Sequence, residues 1–343
     1  SAGTSNLRLG VNAGNSIASV GGNTGNFNVL IGDEAGTAIT SGDDNVAIGY
    51  GALDAEDTGS RNVAIGQHAL STLNNDASSY NVAVGYQAGT AVTTGINNTL
   101  IGGLAGDAIT TANDNVAVGK GSLTADTTGA ENTAVGNVTL AFNTTGASNA
   151  AFGYGALYAN TTASNNTAIG YLSLAANTTG HSNVSVGKSS MAANTTGLEN
   201  VAMGMVSLDA NTTGDYNTAL GHAALSTLTT ADNNTAVGHK ALYLNTTGDR
   251  NVAVGALALD ANTTADGNTA LGYSVLSANT TAELNTGVGF QALRLNTTGA
   301  NNTAVGSSAL GANTTGAGNT AVGYQAGDAI TTGATNICIG DNA

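Results

Sequence analysis

The sequence predicts an all-β fold, a parallel β-solenoid of about twenty coils of 17 residues each. Three observations predict it: a five-residue motif recurs at a fixed spacing, every copy of the motif ends in glycine, and the 343-residue chain contains no proline. A tight corner needs a positive φ or a close backbone approach, which glycine adopts readily. In a stack of parallel strands nearly every N–H bonds to the next coil, and proline would remove a donor.

The motif is Asn-(Thr/Val)-Ala-(Val/Ile/Leu)-Gly, and successive copies are 17 residues apart except for one step of 19. Its first residues are Asn28, Asn45, Asn62, Asn81, Asn98, Asn115, Asn132, Asn149, Asn166, Asn183, Asn200, Asn217, Asn234, Asn251, Asn268, Asn285, Asn302, Asn319 and Asn336. A degenerate copy begins at Asn6. Seventeen residues suit two or three short strands joined by tight turns. We therefore expect irregular N-terminal coils over residues 1–27 and a 17-residue-repeat solenoid over 28–343.

Alternation within the motif predicts which side chains face the interior. The fourth position is apolar, as in Val135, Phe152 and Ile169, and the second is usually β-branched. Side chains two apart share a face of a strand, so we expect these two positions inward and the small third residue outward. An Ala-Leu pair later in each coil predicts a second inward column, which includes Leu157, Leu174, Leu208, Leu225 and Leu242.

Like residues should lie above one another in such a stack. The sequence predicts a side-chain amide ladder formed by Asn143, Asn160, Asn177, Asn194, Asn211, Asn245, Asn262, Asn279, Asn296 and Asn313. Two threonine ranks follow it, from Thr144 and Thr145 to Thr314 and Thr315. The Asn-Thr-Thr triplets are also glycosylation sequons, but their common register favours a hydrogen-bonded ladder. Four coils lose the leucine and replace the ladder asparagine by Ile39, Val92, Ile109 or Ile330, which predicts volume compensation in one core.

Composition excludes several classes of protein. The net charge of −15 would repel nucleic acid and anionic membrane surfaces. No run of 18 apolar residues is present, so membrane insertion is not expected. Cys338 is the only cysteine, so no intrachain disulfide can form.

The motifs Asn45–Gly49 and Asn132–Gly136 resemble the head repeats of trimeric autotransporter adhesins. The longer unit Asn-Thr-Ala-Val-Gly-Tyr-x-Ala-Leu-x-x-Asn-Thr-Thr-Gly is similar to repeats in phage tail fibres and related bacterial surface fibres. The resemblance extends from Asn28 to Gly340 and implies a left-handed parallel β-roll, three chains side by side and an attachment role. The adhesin heads use a shorter unit, so the coil predicted here has an extra loop of three residues.

The sequence contains few groups that suit catalysis. It lacks a nucleophile elbow, a phosphate loop and a zinc pattern, so we predict no enzyme activity, no catalytic residues, no metal and no cofactor. His222 and His239 occupy one coil position and should stack, without an evident third ligand. The loop acids are interpreted as a solvated edge that keeps the protein soluble: Asp43, Asp44, Asp114, Glu131, Glu199, Asp215, Asp232, Asp249, Asp266 and Glu283.

An aromatic stripe follows the motif glycine. Its members are Tyr50, Tyr86, Tyr154, Tyr171, Tyr273, Phe290 and Tyr324. Exposed aromatics stack on sugars and anchor interfaces, so the stripe is a candidate binding ridge. The alternative is that these rings cover the corner or pack where chains meet.

Three functional hypotheses follow. The first is a non-catalytic fibre segment, a tail-fibre shaft or adhesin head, that is extracellular on a cell-surface appendage or virion. It would be a homotrimer or self-assembling fibre, and a host or surface receptor, with a glycan as one candidate, would be its partner. The second is an ice-binding solenoid that uses the regular threonine ranks. A polysaccharide-cleaving β-helix ranks third, because no acid pair or basic cluster stands out.

Overall fold

A computed structural model describes residues 5–18 and 24–343. The predicted fold class is confirmed: the chain is an all-β parallel β-solenoid with one short strand per coil. The only helix among the described residues is a 3-10 helix, Asn15–Ala18. Part of the predicted N-terminal segment, residues 1–4 and 19–23, lies outside the described residues.

The chain divides into two compact units, residues 1–168 and 169–343. The first contains β1 (Leu7–Leu9), β2 (Val29–Ile31), β3 (Val46–Ile48), β4 (Val63–Ile65), β5 (Val82–Val84), β6 (Thr99–Ile101), β7 (Val116–Val118), β8 (Thr133–Val135) and β9 (Ala150–Phe152). The strand β10 (Thr167–Ile169) lies at the division. The second contains β11 (Val184–Val186), β12 (Val201–Met203), β13 (Thr218–Leu220), β14 (Thr235–Val237), β15 (Val252–Val254), β16 (Thr269–Leu271), β17 (Thr286–Val288), β18 (Thr303–Val305), β19 (Thr320–Val322) and β20 (Ile337–Ile339).

Within each unit, neighbouring strands pair in parallel with like residues opposite one another. In the first unit Val116 pairs with Thr133 and Ala117 with Ala134. In the second, Thr303 pairs with Thr320. The 19-residue coil keeps the register, because Val63 pairs with Val82 across its two extra residues. We number each coil 1 to 17 from the motif asparagine, so that the strand occupies positions 2 to 4.

The prediction that the side chains at positions 2 and 4 of the strand face the interior was wrong. The alanines at position 3, such as Ala134 and Ala151, are fully buried, whereas Phe152 and Ile169 at position 4 are 39% and 42% exposed. Val135 lies half-buried on the outer face with them. These side chains therefore do not line the interior. The reason lies on the opposite wall, where long leucines at position 9 fill a narrow core and leave room only for alanine.

The predicted leucine column is inside, as Leu157, Leu174, Leu208, Leu225 and Leu242 are all fully buried. Its wall contains turns, although further strands were expected. The leucines have positive φ, for example 51° at Leu157 and 50° at Leu242. The left-handed region costs roughly 1–3 kcal/mol per residue, and burial of one leucine returns about as much. Hydrogen bonds between coils stabilise this conformation further, such as the bond from the Leu140 N–H to the Ala156 carbonyl at 3.1 Å.

Two of the four variant coils compensate for the lost leucine on the strand. Glycine replaces the leucine in all four, and in two of them Leu30 or Leu100 also replaces the strand alanine. A Cβ at Gly106 would lie 2.8 Å from both Leu100 Cδ2 and Ile109 Cδ1, so the displaced volume is already filled. These distances agree with the volume compensation expected from the sequence.

The motif glycines allow adjacent coils to approach closely. Gly102 has φ +135°, and a Cβ there would lie 2.5 Å from the carbonyl oxygen of Gly119 in the next coil. The following residue, Gly103, has only one heavy atom near its Cβ position, the Tyr86 carbonyl oxygen at 4.0 Å. An alanine at Gly102 would therefore clash with the next coil, whereas an alanine at Gly103 would not, so the two glycines provide a test and its control.

We expect Gly102→Ala to lower the free energy of unfolding by about 2 kcal/mol or more, because the new Cβ meets backbone that cannot withdraw. Gly103→Ala should change it by less than about 1 kcal/mol, with a stabilising sign. Urea unfolding midpoints measure both variants. Equal effects of the two substitutions would contradict the close coil-to-coil approach at Gly102.

Candidate interaction surface

The side chain of the motif asparagine at position 1 closes its own coil and also bonds to the next coil. Its amide nitrogen donates to the position-15 carbonyl of its own coil, as Asn45 Nδ2 does to Gly59 O at 2.9 Å. Its amide oxygen accepts the backbone N–H of the next motif asparagine, as from Asn62 N to Asn45 Oδ1 at 3.0 Å. Sequence reasoning found this asparagine but gave it no role; its recurrence in all nineteen motif copies was the available signal.

The asparagines at position 12 form the second amide ladder. Asn160 Nδ2 donates to Asn143 Oδ1 at 2.8 Å, and Asn313 Nδ2 donates to Asn296 Oδ1 at 2.8 Å. Each also donates to the carbonyl three residues on, as Asn279 does to Ala282 at 2.9 Å. All the asparagines of the predicted ladder are fully buried: Asn143, Asn160, Asn177, Asn194, Asn211, Asn245, Asn262, Asn279, Asn296 and Asn313.

Two buried carboxyl groups replace asparagine at position 12 of the first unit. Glu56 accepts the Gly59 N–H at 2.7 Å and the Asn75 N–H at 3.3 Å, so it contacts the two-residue insertion of the neighbouring coil. Burial raises the pKa of Glu56, against the lowering effect of those bonds. Asp126 accepts the Gly129 N–H at 2.9 Å, while its Oδ2 is buried without a hydrogen-bond partner. Burial raises the pKa of Asp126 to about 7.

The first threonine rank is tied to the coil-to-coil bonding. Thr144 Oγ1 donates to the Thr161 carbonyl at 3.0 Å, and Thr314 Oγ1 donates to the Thr331 carbonyl at 3.0 Å. The second rank, which includes Thr145 and Thr315, is exposed. Only one of the two predicted ranks therefore faces solvent fully.

The loop acids at position 16 also bond along the stack. Asp232 Oδ1 accepts the Asp215 N–H at 2.8 Å, and the same bond recurs from Asp232 to Asp249 and from Asp249 to Asp266. Arg250 pairs with Asp266 at 3.3 Å. These aspartates serve the backbone as well as the solvated edge that the sequence predicted.

The aromatic stripe is exposed along its length. Its rings, which are 47–54% exposed, belong to Tyr50, Tyr86, Tyr154, Tyr171, Tyr273, Phe290 and Tyr324. Tyr273 and Phe290 stack with centroids 5.6 Å apart and planes 13° apart. Gln67 separates Tyr50 from Tyr86 at the same coil position. The structure thus brings Tyr273 and Phe290 of the stripe face to face.

Two ionisable clusters lie on the same corner. Tyr50 bonds to Glu34, which raises the pKa of the Tyr50 hydroxyl, and its ring meets His68 edge-on at 5.2 Å. Burial raises the pKa of the nearby Asp54 carboxyl. His222 and His239 stack at 5.4 Å. Across the described part of the chain, no group of three or more His, Cys, Asp or Glu side chains is arranged to hold a metal ion.

The outer face of the strands is an apolar surface that recurs in every coil. Positions 2 and 4 of all nineteen motif copies contain only Thr, Val, Ala, Ile, Leu, Phe and Met. Every second-position side chain from Val29 to Thr320 is half-buried, and the fourth-position side chains of the same coils, from Ile31 to Val322, reach 45% exposure at Met203. Extended apolar patches on soluble proteins usually mark interaction sites. We call the side chains at positions 2 and 4 the strand face.

No protein-family model matches the chain, and a search of curated proteins finds no significant match. Among the described residues, no helix is long and apolar enough to cross a membrane. The assignment of function therefore depends on the surfaces described above.

We expect Asp126→Asn to stabilise the protein in a pH-dependent way. The pKa of Asp126 is raised in the folded state, so ionisation of its carboxyl group favours the unfolded state. The free energy of unfolding of the parent should therefore fall as pH rises from about 4 towards 7, by ~4 kcal/mol in total. Below pH 4 both states are protonated and the penalty vanishes. Urea unfolding at pH 4, 6 and 8 should show a gain for the variant that grows with pH.

The exposed Asp114 of the same unit provides the control, because Asp114→Asn also removes one carboxylate but not from a buried position, and it should not reproduce the stability gain of Asp126→Asn. Parallel profiles for the parent and Asp126→Asn would show that the buried carboxyl does not limit stability.

Proposed function

We propose that the chain is a non-catalytic structural and adhesive fibre segment that associates with copies of itself through the strand face. The observation that supports this is the absence of any charged side chain from that face. Its side chains recur in the same register from coil to coil, so one copy offers another a repeated apolar surface. Burial of half-exposed Val, Ile and Leu side chains stabilises association by about 25 cal/mol per Å² of apolar area.

The distribution of charge agrees with self-association. Most of the acids lie in the loop at positions 16 and 17, at position 10 and at the corner, as with Asp249, Asp260 and Asp33. Two copies that meet by the strand face would keep these groups in solvent, whereas most other orientations would oppose like charges. We propose a homotrimer, as in the fibres that the repeats resemble, located outside the cell on an appendage or virion, with a surface receptor as partner.

Light scattering during size-exclusion chromatography tests the proposal. The parent should have three times the 33.2 kDa mass of one chain. A double variant, Leu271→Lys with Val305→Lys, should weaken self-association at least about tenfold, because two ammonium groups would be desolvated in the interface.

A matched control changes exposed threonines of the same two coils on another surface, Thr281→Lys with Thr315→Lys. It adds the same charge and should remain trimeric. A monomeric parent, or equal behaviour of the two double variants, would refute association through the strand face.

Ice binding is the second candidate. The observation that favours it is the regular outward threonine at position 2, from Thr269 to Thr320 in four consecutive coils, beside an aliphatic column. The hydroxyls of the Thr144 rank are less suited to this role, since they bond to the next coil.

The fibre proposal predicts no thermal hysteresis in freezing assays of the parent at its highest attainable concentration. A hysteresis that survives in Thr281→Lys with Thr315→Lys but is lost in Leu271→Lys with Val305→Lys would assign the strand face to ice instead.

A further inference from the structure

A surface hollow of about 200 Å³ lies in the second unit, on the wall formed by positions 7, 10 and 11. Its cause is Gly311, the only glycine at position 10 in the eighteen full coils from Asn28 onwards. Other coils place residues as large as Tyr158 and Tyr243 at that position. The missing side chain leaves a gap between the larger position-10 side chains of the two neighbouring coils, Arg294 and Asp328.

Opposite charges flank the gap. Arg294 and Asp328 occupy position 10 in the coils on either side of Gly311, and both line the hollow. Arg294 is exposed and is the only basic residue from 251 to 343. Neither of the two ion pairs found among the described residues involves it. Its guanidinium is therefore available to an anionic group from outside the chain.

Neutral side chains complete the lining, two of them polar and two, Leu295 and Ala312, apolar. Gln291 and Ser308, both at position 7, offer an amide and a hydroxyl. Phe290 directly precedes Gln291 and stacks on Tyr273, so a stacked pair of the aromatic stripe adjoins the hollow along the chain. The site combines a cation, hydrogen-bond donors and acceptors, and neighbouring aromatic rings.

We propose that this hollow binds a saccharide unit that bears a carboxylate. The planar fork of Arg294 matches a carboxylate in two parallel hydrogen bonds. Asp328, Gln291 and Ser308 would bond to sugar hydroxyls, and the aromatic stripe would contact the apolar faces of adjoining units. The volume is below the ~300–1,000 Å³ of drug-sized sites, which suits one sugar ring inside and the rest of the chain outside. This inference rests on the proposed attachment function and names its ligand class.

Isothermal titration of the full-length chain with trigalacturonic acid, its methyl ester and monomeric galacturonic acid tests the proposal. We expect trigalacturonate to bind more tightly than monomeric galacturonate. The methyl ester of trigalacturonate should bind at least about tenfold more weakly than the acid, because it lacks the charge. Arg294→Gln should lose affinity for trigalacturonate by at least about tenfold. Gly311→Tyr should abolish binding by filling the hollow, and natural coils with tyrosine at position 10 indicate that the fold accepts it.

Two controls separate the site from general charge and surface effects. Arg250→Gln removes one positive charge elsewhere in the same unit, and Ala192→Tyr places tyrosine at position 10 of another coil. Both should bind as the parent does. Equal affinity of the parent, Arg294→Gln and Gly311→Tyr, or no binding to the parent, would overturn the proposal.

Scattering measured on the same samples distinguishes this failure from failure of the fibre proposal. A trimeric parent without binding refutes the saccharide site alone. A monomeric parent that binds trigalacturonate refutes the proposed self-association and leaves the site, which lies within one chain, intact.

Discussion

The amide of the position-1 asparagine is the interaction on which the rest of the structure depends. One side chain closes its own coil and also accepts a backbone N–H from the next, as in Asn132 to Gly146 and Asn149 to Asn132. Each coil of 17 residues contains one strand of three residues, so strand pairing alone cannot satisfy all of its backbone N–H and C=O groups. A buried polar group without a partner costs about 1–3 kcal/mol, so each bond of this kind matters to every coil.

The narrow core follows from the same geometry. The closed coil has a narrow interior, whose main apolar side chain is leucine at position 9 in most coils and Leu30 or Leu100 on the strand in two variant coils. Alanine faces it from the strand, and the larger β-branched and aliphatic residues are excluded to the outside. The apolar strand face is thus a consequence of a small interior, and its lack of charge is what requires a functional explanation.

Much of this architecture could be predicted from the sequence, because a 17-residue period sets the register directly. The parallel stack, the leucine column and the reason for the motif glycines follow from spacing and side-chain volume. Alternation at Val135 and Phe152 identified two faces but did not show which was inside, since both faces contain apolar residues. The positive φ of Leu157 was also hidden, as leucine has no local preference for that region and burial and neighbouring coils enforce it.

Some of the candidate sites could also be predicted from the sequence, and others could not. The aromatic stripe and the asparagine ladder were visible as columns because they repeat. The Asp126 carboxyl and the hollow at Gly311 interrupt the repeat, and a single departure acquires meaning only when the neighbours above and below are known. Departures from a regular solenoid are therefore where this protein has room for specific chemistry, while the regular coils determine its stability and form the strand face.

Hydrogen exchange followed by NMR on a sample labelled with ¹⁵N-asparagine tests the central claim most directly. The backbone N–H of interior motif asparagines such as Asn234 and Asn251, together with their side-chain amides, should exchange as slowly as the strand amides beside them. Exchange of these groups at the rate of unprotected amides would show that the asparagine amides do not hold the coils together.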